Sequence, residues 1–267
     1  MRAPSAPHIT NLLRTHITFL FVGHAPTITA LVSNSTQRTK RILMVMAKAP
    51  ARGQNKTRLG NLIGLEAATD FYRCLLSDVL DVVRDIVRAV PDVTPAIAYT
   101  PAGSEAVFRQ IAPDFELVLQ QGELLGDRLH HVLHYALTHG YDQAAVLSAD
   151  TPFVDPAALA HGFAALTDGA DVSIGPCDDG GWYVMHLHTP HPELLVPITM
   201  STSQTYQDTL AAAQRANLRI EVLPATTDVD TPDDLTKILQ TSAQLPAQVA
   251  RHTRGWLTQW QQAQQST

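Results

Sequence analysis

Apolar positions follow two different periods from residue 40 onward, and the changes in period predict the secondary structure. Residues 41–47 form a continuous apolar run, as expected for a strand buried on both faces. Between Leu65 and Val90 the apolar residues recur at steps of three and four, which predicts a long helix that Pro91 ends. The intervening segment to Gly60 is interpreted as a loop. The same two patterns predict further strands at 95–99, 115–119, 144–147, 172–174, 182–187 and 219–223, and helices at 104–111, 124–138 and 156–166.

Strands that alternate with helices in this way predict an α/β fold, with a mostly parallel sheet and helices on both faces. Ligands bind such sheets beyond the carboxyl ends of the strands. We expect this domain at 40–240, after a poorly ordered N-terminal extension at 1–39 and before a C-terminal accessory helix at 241–267. Trp256 and Trp260 lie on one side of that helix and are candidates for an oligomer interface; the sequence does not predict the oligomeric state.

The distribution of charge narrows the class of partner. The chain has 267 residues and a net charge of −6, yet residues 1–65 contain nine of the 19 Lys and Arg and no Asp or Glu. An acidic body does not favour nucleic-acid binding, whereas a local basic loop suits a small anionic ligand. No apolar run approaches the roughly 18–20 residues of a membrane helix, so no membrane span is expected.

Cysteine and histidine spacing excludes other kinds of site. Cys74 and Cys177 are the two cysteines and lack a CxxC or Cys/His cluster, so neither a disulfide scaffold nor a zinc site is expected, and the predicted compartment is the cytoplasm. Cys177 has no nearby His to activate it as a nucleophile. His130 and His134 are an i, i+4 pair without an HExxH motif, and we interpret them as surface histidines.

The loop after the first strand has the composition of a phosphate site. It supplies positive charge at Lys48, Lys56 and Arg58, a hydrogen-bonding hydroxyl at Thr57, and close backbone approach at Gly53. Di- and triphosphates bind to such groups. The loop is not a Walker A motif, since GxxxxGK[ST] is absent. The alternative is a solvated surface loop.

Carboxylates follow two later elements. Asp150 ends the strand at 144–147, and Asp228 and Asp230 stand in the segment 228–235. Such oxygens are suitable ligands for Mg²⁺ or Mn²⁺. The alternatives are a turn-forming aspartate at 150 and a helix cap at Asp230 or Thr231.

The segment 175–183 combines an Asp-Asp-Gly-Gly turn with two following aromatic residues, Trp182 and Tyr183. It predicts a tight turn. It also qualifies as an acceptor-binding or acid–base element through Asp179.

Taken in order, these segments resemble the DUF2064 family, also called rSAM/selenodomain-associated transferase 1, of GT-A-fold nucleotide-diphospho-sugar transferases. The family motif KAPxxGxxKTRL stands at 48–59, GPxxDGG at 175–181 and DVDTPxDL at 228–235. A glycine-arginine element downstream of a glutamine stands at 121–128. Leu124, Ser148, Trp182 and Met200 depart from the residues that are usual in the family.

The resemblance implies a divalent-metal-dependent transferase with a nucleotide-activated donor bound over the strand ends. A glycosyltransferase that uses a nucleotide sugar and a small-molecule acceptor is the first expectation. The alternative is a nucleotidyltransferase that uses a nucleoside triphosphate and releases pyrophosphate, because the basic loop and DVDTPxDL are also similar to the 2-phospholactate guanylyltransferase type. The third hypothesis is a non-catalytic regulator that binds a nucleotide.

This hypothesis gives each candidate residue a role. Lys56 would stabilise the leaving phosphate, and Asp179 would act as an acceptor-side base or orienting group. The metal, Mg²⁺ or Mn²⁺, would be held by Asp150 and Asp230, or Asp228 in place of Asp230. The remaining contacts to the donor phosphates are expected from Lys48, Gly53, Thr57, Arg58 and Arg128.

Overall fold

The structure, a computed structural model, describes residues 38–265, so the extension expected at 1–39 falls almost entirely outside the described residues. Strands and helices alternate along this range. The strands are β1 (Arg41–Lys48), β2 (Val93–Thr100), β3 (Glu116–Leu119), β4 (Gln143–Ser148), β5 (Val172–Pro176), β6 (Trp182–Leu187) and β7 (Ile220–Val222). The α-helices are α1 (Thr57–Ile63), α2 (Leu65–Ala89), α3 (Glu105–Ile111), α4 (Leu125–Thr138), α5 (Pro156–Thr167), α6 (Thr205–Arg215), α7 (Pro232–Thr241) and α8 (Arg251–Gln265). None of these helices has both the length and the apolar character needed to cross a membrane.

The strands form one sheet in the order β3-β2-β1-β4-β6-β5-β7. Strand β1 pairs in parallel with β2 and β4, whereas β6 lies antiparallel between β4 and β5. The predicted α/β fold with a mostly parallel sheet is confirmed. Because β6 runs in the opposite direction, its first residues lie at the same edge of the sheet as the last residues of β1 and β4.

Strand β1 is buried on both faces, as its continuous apolar sequence predicts. Leu43 and Val45 pack into one cluster with α2, α3 and α5, and Ile42 and Met44 pack into the opposite cluster with α4 and α6. This alternation follows from the two-residue period of a strand. Burying each such side chain stabilises the fold by roughly 1.5–3 kcal/mol.

A third apolar cluster joins the C-terminal helices to the segment that contains Asp228 and Asp230. It includes Leu59 of α1, Leu257 of α8 and Val229, which stands between the two aspartates. The same cluster includes residues of α2 and α7. Helix α8 therefore packs into the cluster that also buries the side chain between the candidate site carboxylates.

The N-terminus of α8 is fixed by a buried carboxylate on α2. Asp78 is 3% exposed and accepts hydrogen bonds from the backbone amides of His252 at 2.9 Å and Thr253 at 2.8 Å. A carboxylate at the positive end of a helix satisfies amides that have no partner within the helix. The ring of Trp256 then packs 4.8 Å from that of Phe71, measured between centroids.

Two helices differ from the sequence prediction. Helix α1 forms where a loop to Gly60 is predicted, because Leu59 and Ile63, one turn apart, reach the third cluster. Helix α6 was not predicted. Its buried apolar side chains include the small Ala212 and Ala213, which give a weak apolar period.

Candidate active site

The candidate site lies at the edge of the sheet where β1 and β4 end and β6 begins. The backbone amide of Val229 donates to the carbonyl oxygen of Asp150 at 3.1 Å, which joins the segment 228–230 to the end of β4. The hairpin between β5 and β6 reaches the same edge. Three of the segments singled out in the sequence therefore meet here, as expected for a ligand site of a parallel sheet.

Lys56 lies at the centre of this edge. Its side chain is only 3% exposed, and its Nζ lies 2.9 Å from Oδ1 of Asp150 and 3.5 Å from Oδ1 of Asp230. A buried ammonium group requires such partners, because its removal from water is costly. The Lys56 backbone is left-handed, with φ 49° and ψ 44°, at a cost of about 1–2 kcal/mol for a residue other than glycine. Strain of this kind is common at functional sites.

Internal hydrogen bonds shape the loop that carries Lys56. Oδ1 of Asn55 accepts from the amide of Ala51 at 2.9 Å, and Nδ2 of Asn55 donates to the carbonyl of Lys48 at 3.5 Å. The hydroxyl of Tyr72 accepts from the amide of Lys48 at 3.1 Å. Burial and the nearby Asp150 raise the pKa of Tyr72, so this phenol stays neutral.

Tyr72 was not singled out in the sequence. In the sequence, Tyr72 is distinguished from the other buried positions of this long amphipathic helix by its hydroxyl group alone, which is too weak a signal to predict a role at the site. Its role at the site depends on where α2 meets the end of β1.

The other residues of the basic loop are open to solvent to different degrees. Arg58 is 72% exposed, and its Nη1 lies 3.1 Å from Oδ2 of Asp230. Lys48 and Thr57 are exposed at the end of β1 and the start of α1. Gly53 has φ +70°, a conformation that residues with side chains rarely adopt.

The candidate metal ligands differ in how their charge is compensated. Asp230 contacts the side chains of both Lys56 and Arg58. Asp228 is half-buried, and burial, followed by the charge of Asp179, raises its pKa to about 6. Ligand atoms of Cys177, Asp179 and Asp228 lie within 4.8 Å of one another. Within the described part of the chain, Asp230 thus makes two ion pairs and Asp228 makes none, although the charge of Lys56 lowers the pKa of Asp228 in part.

Two cavities flank Asp150. The first, which we call the basic cavity, has a volume of about 220 Å³ and is lined by Lys48, Gln54, Asn55, Lys56, Tyr72, Asp230 and others. The second, the acidic cavity, has a volume of about 270 Å³ and is lined by Asp179, Asp228, Leu129, Trp182, Met200 and others. Met46 and Asp150 line both. The two cavities thus meet at one carboxylate.

Asp179 contributes to both the turn and the acidic cavity. Its Oδ1 accepts from the amide of Gly181 at 2.7 Å, as the predicted tight turn requires. Gly180 adopts φ +88°, and a Cβ there would lie 2.2 Å from the carbonyl oxygen of Ser203. The turn therefore depends on glycine at 180, and it holds the Asp179 carboxylate at the cavity wall.

Arg128 is not brought to these groups. Its Nε donates to the carbonyl of Gly122 at 3.0 Å and its Nη2 to that of Glu123 at 3.3 Å. Arg128 lines neither the basic nor the acidic cavity. In this structure its guanidinium braces the loop before α4.

Residues 83–202 match DUF2064, a family described as "uncharacterized protein conserved in bacteria". The resemblance to DUF2064 is confirmed. A 2-phospho-L-lactate guanylyltransferase of Haloarcula marismortui is 26% identical to the chain over 186 residues, which are 69% of this chain and 79% of that protein.

Two solved structures share the fold of this chain. One is a protein of Desulfovibrio desulfuricans G20 that is provisionally described as a nucleotide-diphospho-sugar transferase. The match covers 84% of this chain and 99% of that protein's chain, with 26% identity and a TM-score of 0.73. A 4-diphosphocytidyl-2C-methyl-D-erythritol synthase shares the fold alone, with 16% identity and a TM-score of 0.51 over 75% of this chain and 97% of its own. The chain is a transferase with the α/β fold of nucleotide-diphospho-sugar transferases.

Proposed function

We propose that the chain transfers a group from a nucleotide-activated donor to a small-molecule acceptor across Asp150. The observation that carries the proposal is a pair of cavities that meet at this residue, one lined by Lys48 and Lys56 and the other without a cationic side chain among its described lining residues. The donor phosphates occupy the basic cavity, and the acceptor occupies the acidic cavity. A transfer reaction needs its two substrates side by side in this way.

On the donor side, Lys56 stabilises the negative charge that develops on the leaving phosphate. Its ammonium is already desolvated, so it needs little reorganisation when the phosphate arrives. Arg58 and Lys48, both exposed, can turn toward the outer phosphate oxygens. Removing one preorganised donor of this kind typically costs about 10²–10³ in rate.

The residues fit a divalent cation best at Asp150 and Asp228. Oδ1 of Asp150 is shielded from solvent and, among the described residues, makes no hydrogen bond beyond its ion pair with Lys56. Burial, followed by the negative charge of Asp179, raises the pKa of Asp228, and a bound cation would favour its ionised form. Mg²⁺ or Mn²⁺, when bound, supplies charge neutralisation to the donor phosphates. Asp230 then serves to hold Lys56 and Arg58 in place.

Glycosyl transfer is the reaction that we place first. The acceptor hydroxyl oxygen forms a bond to the sugar carbon, the bond from that carbon to the phosphate oxygen breaks, and the electron pair leaves with the nucleoside diphosphate. The hydroxyl proton passes to the carboxylate of Asp179, which lines the acidic cavity. The likeness to the Desulfovibrio desulfuricans protein over 84% of the chain supports this choice.

Nucleotidyl transfer is the second candidate. The guanylyltransferase of Haloarcula marismortui, 26% identical to this chain, favours it. The two reactions are distinguished by the released product, a nucleoside diphosphate for the first and pyrophosphate for the second.

The proposal is tested by thermal unfolding with nucleotide sugars and nucleoside triphosphates, each with Mn²⁺ or with EDTA. A ligand at a hundredfold excess over its Kd stabilises the folded protein by about 2.7 kcal/mol. We expect Mn²⁺-dependent stabilisation that Asp150→Asn abolishes and that Asp233→Asn, a control at an exposed carboxylate of α7, retains. If no nucleotide stabilises the protein with Mn²⁺, the proposal is refuted.

A further inference from the structure

We infer that the acceptor is an uncharged hydroxyl compound with an apolar part, and that a phosphorylated acceptor is disfavoured. The inference rests on the proposed function only in placing the acceptor in the acidic cavity. It goes further by specifying the chemistry that this cavity selects.

Carboxylates line both cavities, whereas lysines line only the basic cavity. Among the described residues that line the acidic cavity there are three carboxylates, Asp150, Asp179 and Asp228, and no Lys, Arg or His side chain. Lys48 and Lys56 both face the other cavity. Phosphate groups in proteins are held by cations and by free backbone amides. A phosphorylated acceptor would instead meet like charge. A divalent cation held by Asp150 and Asp228 would offset two of the three carboxylates and leave that of Asp179.

The helix ends at the acidic cavity do not replace the missing cations. The first amides of α6 are engaged, since Thr205 donates to the carbonyl of Thr202 at 3.1 Å and Tyr206 to that of Gly180 at 2.9 Å. At the start of α4, the carboxylate of Asp127 accepts from the amide of Leu124 at 3.1 Å. This carboxylate offsets the positive end of α4.

The rest of the acidic cavity is apolar and adaptable. Met46, Leu125, Leu129 and Met200 line it together with the ring of Trp182. Methionine side chains adjust to ligands of different shape. Its volume of about 270 Å³ lies just below the range of roughly 300–1,000 Å³ for ligand pockets, so it suits a small metabolite. An apolar group fits against this wall, and a hydroxyl then faces the carboxylates, which accept its hydrogen bond.

A matched pair of probes tests the inference, namely phenyl β-D-glucopyranoside and its 6-phosphate. Their affinities for the full chain are measured by saturation-transfer NMR titration, with Mg²⁺ and with EDTA. We expect the uncharged glucoside to bind at least tenfold more tightly in EDTA, and a smaller preference with Mg²⁺, because a cation held by Asp150 and Asp228 offsets part of the negative charge. In Leu125→Arg, which places a cation at the mouth of the cavity, affinity for the 6-phosphate rises at least fivefold and that for the glucoside does not.

The matched control is Val107→Arg on α3. Val107 is 38% exposed and Leu125 42% exposed, but Val107 lines neither of the two cavities. The control keeps the wild-type ranking and gains no affinity for the 6-phosphate. Wild-type protein that prefers the 6-phosphate, equal gains in both arginine variants, or no binding of either probe would each overturn the inference.

Thermal unfolding with nucleotides separates this inference from the proposed function. Nucleotide stabilisation without preference for the uncharged glucoside leaves the transferase proposal intact and refutes the acceptor class. Preference for the glucoside without nucleotide stabilisation supports the cavity chemistry and refutes the donor site.

Discussion

Lys56 and Asp150 form an ion pair whose two members differ in exposure. The lysine side chain is 3% exposed and that of Asp150 is 37% exposed, with 2.9 Å between Nζ and Oδ1. The cation is therefore held inside the protein, while the carboxylate borders both cavities. A bound phosphate can replace the carboxylate as the partner of Lys56, which frees Asp150 for another ligand.

Replacing Lys56 with glutamine removes the buried charge and is expected to lower turnover of the donor by about 10²–10³-fold. The side chains of Asp150 and Asp230 are 37% and 36% exposed, and the glutamine amide can still donate to the shielded Oδ1 of Asp150, so the fold is retained. Arg52→Gln, on the same loop but 73% exposed and paired with Glu66, is the control and keeps near wild-type turnover. Equal losses in the two variants would contradict a specific role for Lys56.

Asp228→Asn is expected to stabilise the metal-free protein at pH 7.5 while it removes stabilisation by Mg²⁺ or Mn²⁺. Burial and neighbouring acids raise the pKa of Asp228 to about 6, so its ionised form is unfavourable in the folded state above that pH. Urea denaturation in EDTA at pH 7.5 and pH 5 measures this gain, which shrinks at pH 5 because wild-type Asp228 is then largely protonated. A variant that Mg²⁺ still stabilises would exclude Asp228 as a ligand.

His186 should make the protein sensitive to mild acid. It is fully buried, and burial lowers its pKa to about 3. Unfolded chains take up the proton near pH 6.5, so stability falls as pH drops below 6.5, by about 2 kcal/mol between pH 7 and pH 5. The variant His186→Leu should lose this part of the pH dependence in urea denaturation. His188→Leu, at a half-exposed position, should retain it; equal slopes in wild type and His186→Leu would refute the assignment.

Asp78→Asn should loosen α8 before the rest of the fold. In the wild type, each oxygen of Asp78 accepts a hydrogen bond from one backbone amide of α8. The single side-chain oxygen of asparagine can replace only one of these oxygens, and its NH₂ group would face the other amide, which is also a donor. Losing a hydrogen bond to a charged group costs about 1.5–3 kcal/mol. Hydrogen exchange should show faster exchange in α8 than in β1, with Asp70→Asn, on an exposed turn of α2, unchanged. Uniformly faster exchange would indicate global destabilisation instead.

Much of the fold could be predicted because burial leaves a periodic signal in the sequence. Strand β1 is apolar at successive positions since both of its faces are covered, and α2 repeats apolar residues along one face. Helix α1 left no comparable signal, since seven residues contain only two turns. It forms because the third cluster, assembled from distant segments, buries Leu59 and Ile63.

The sequence predicts where the candidate site lies better than it predicts which of its charged side chains form ion pairs. The rule for strand ends predicts that Lys56, Asp150 and the segment 228–230 approach one another. Which carboxylate pairs with a cation depends on the directions of the side chains in the folded protein. Lys56 and Asp230 are 174 residues apart in sequence, and the residues around neither of them predict that the two pair. Arg128 is the opposite case. Its sequence context predicts a contact to the donor phosphates, but in the structure its guanidinium donates to the carbonyls of the loop at 122–123.

The position of Val229 in the third cluster has a consequence for the nascent chain. Synthesis proceeds from the N-terminus, so Lys56 leaves the ribosome long before Asp228, Asp230 and the helix that buries Val229. A partly made chain that ends before residue 228 therefore holds the basic loop and Asp150 without Asp228 and Asp230. The lining of both cavities is complete only after the segment 228–230 has been made.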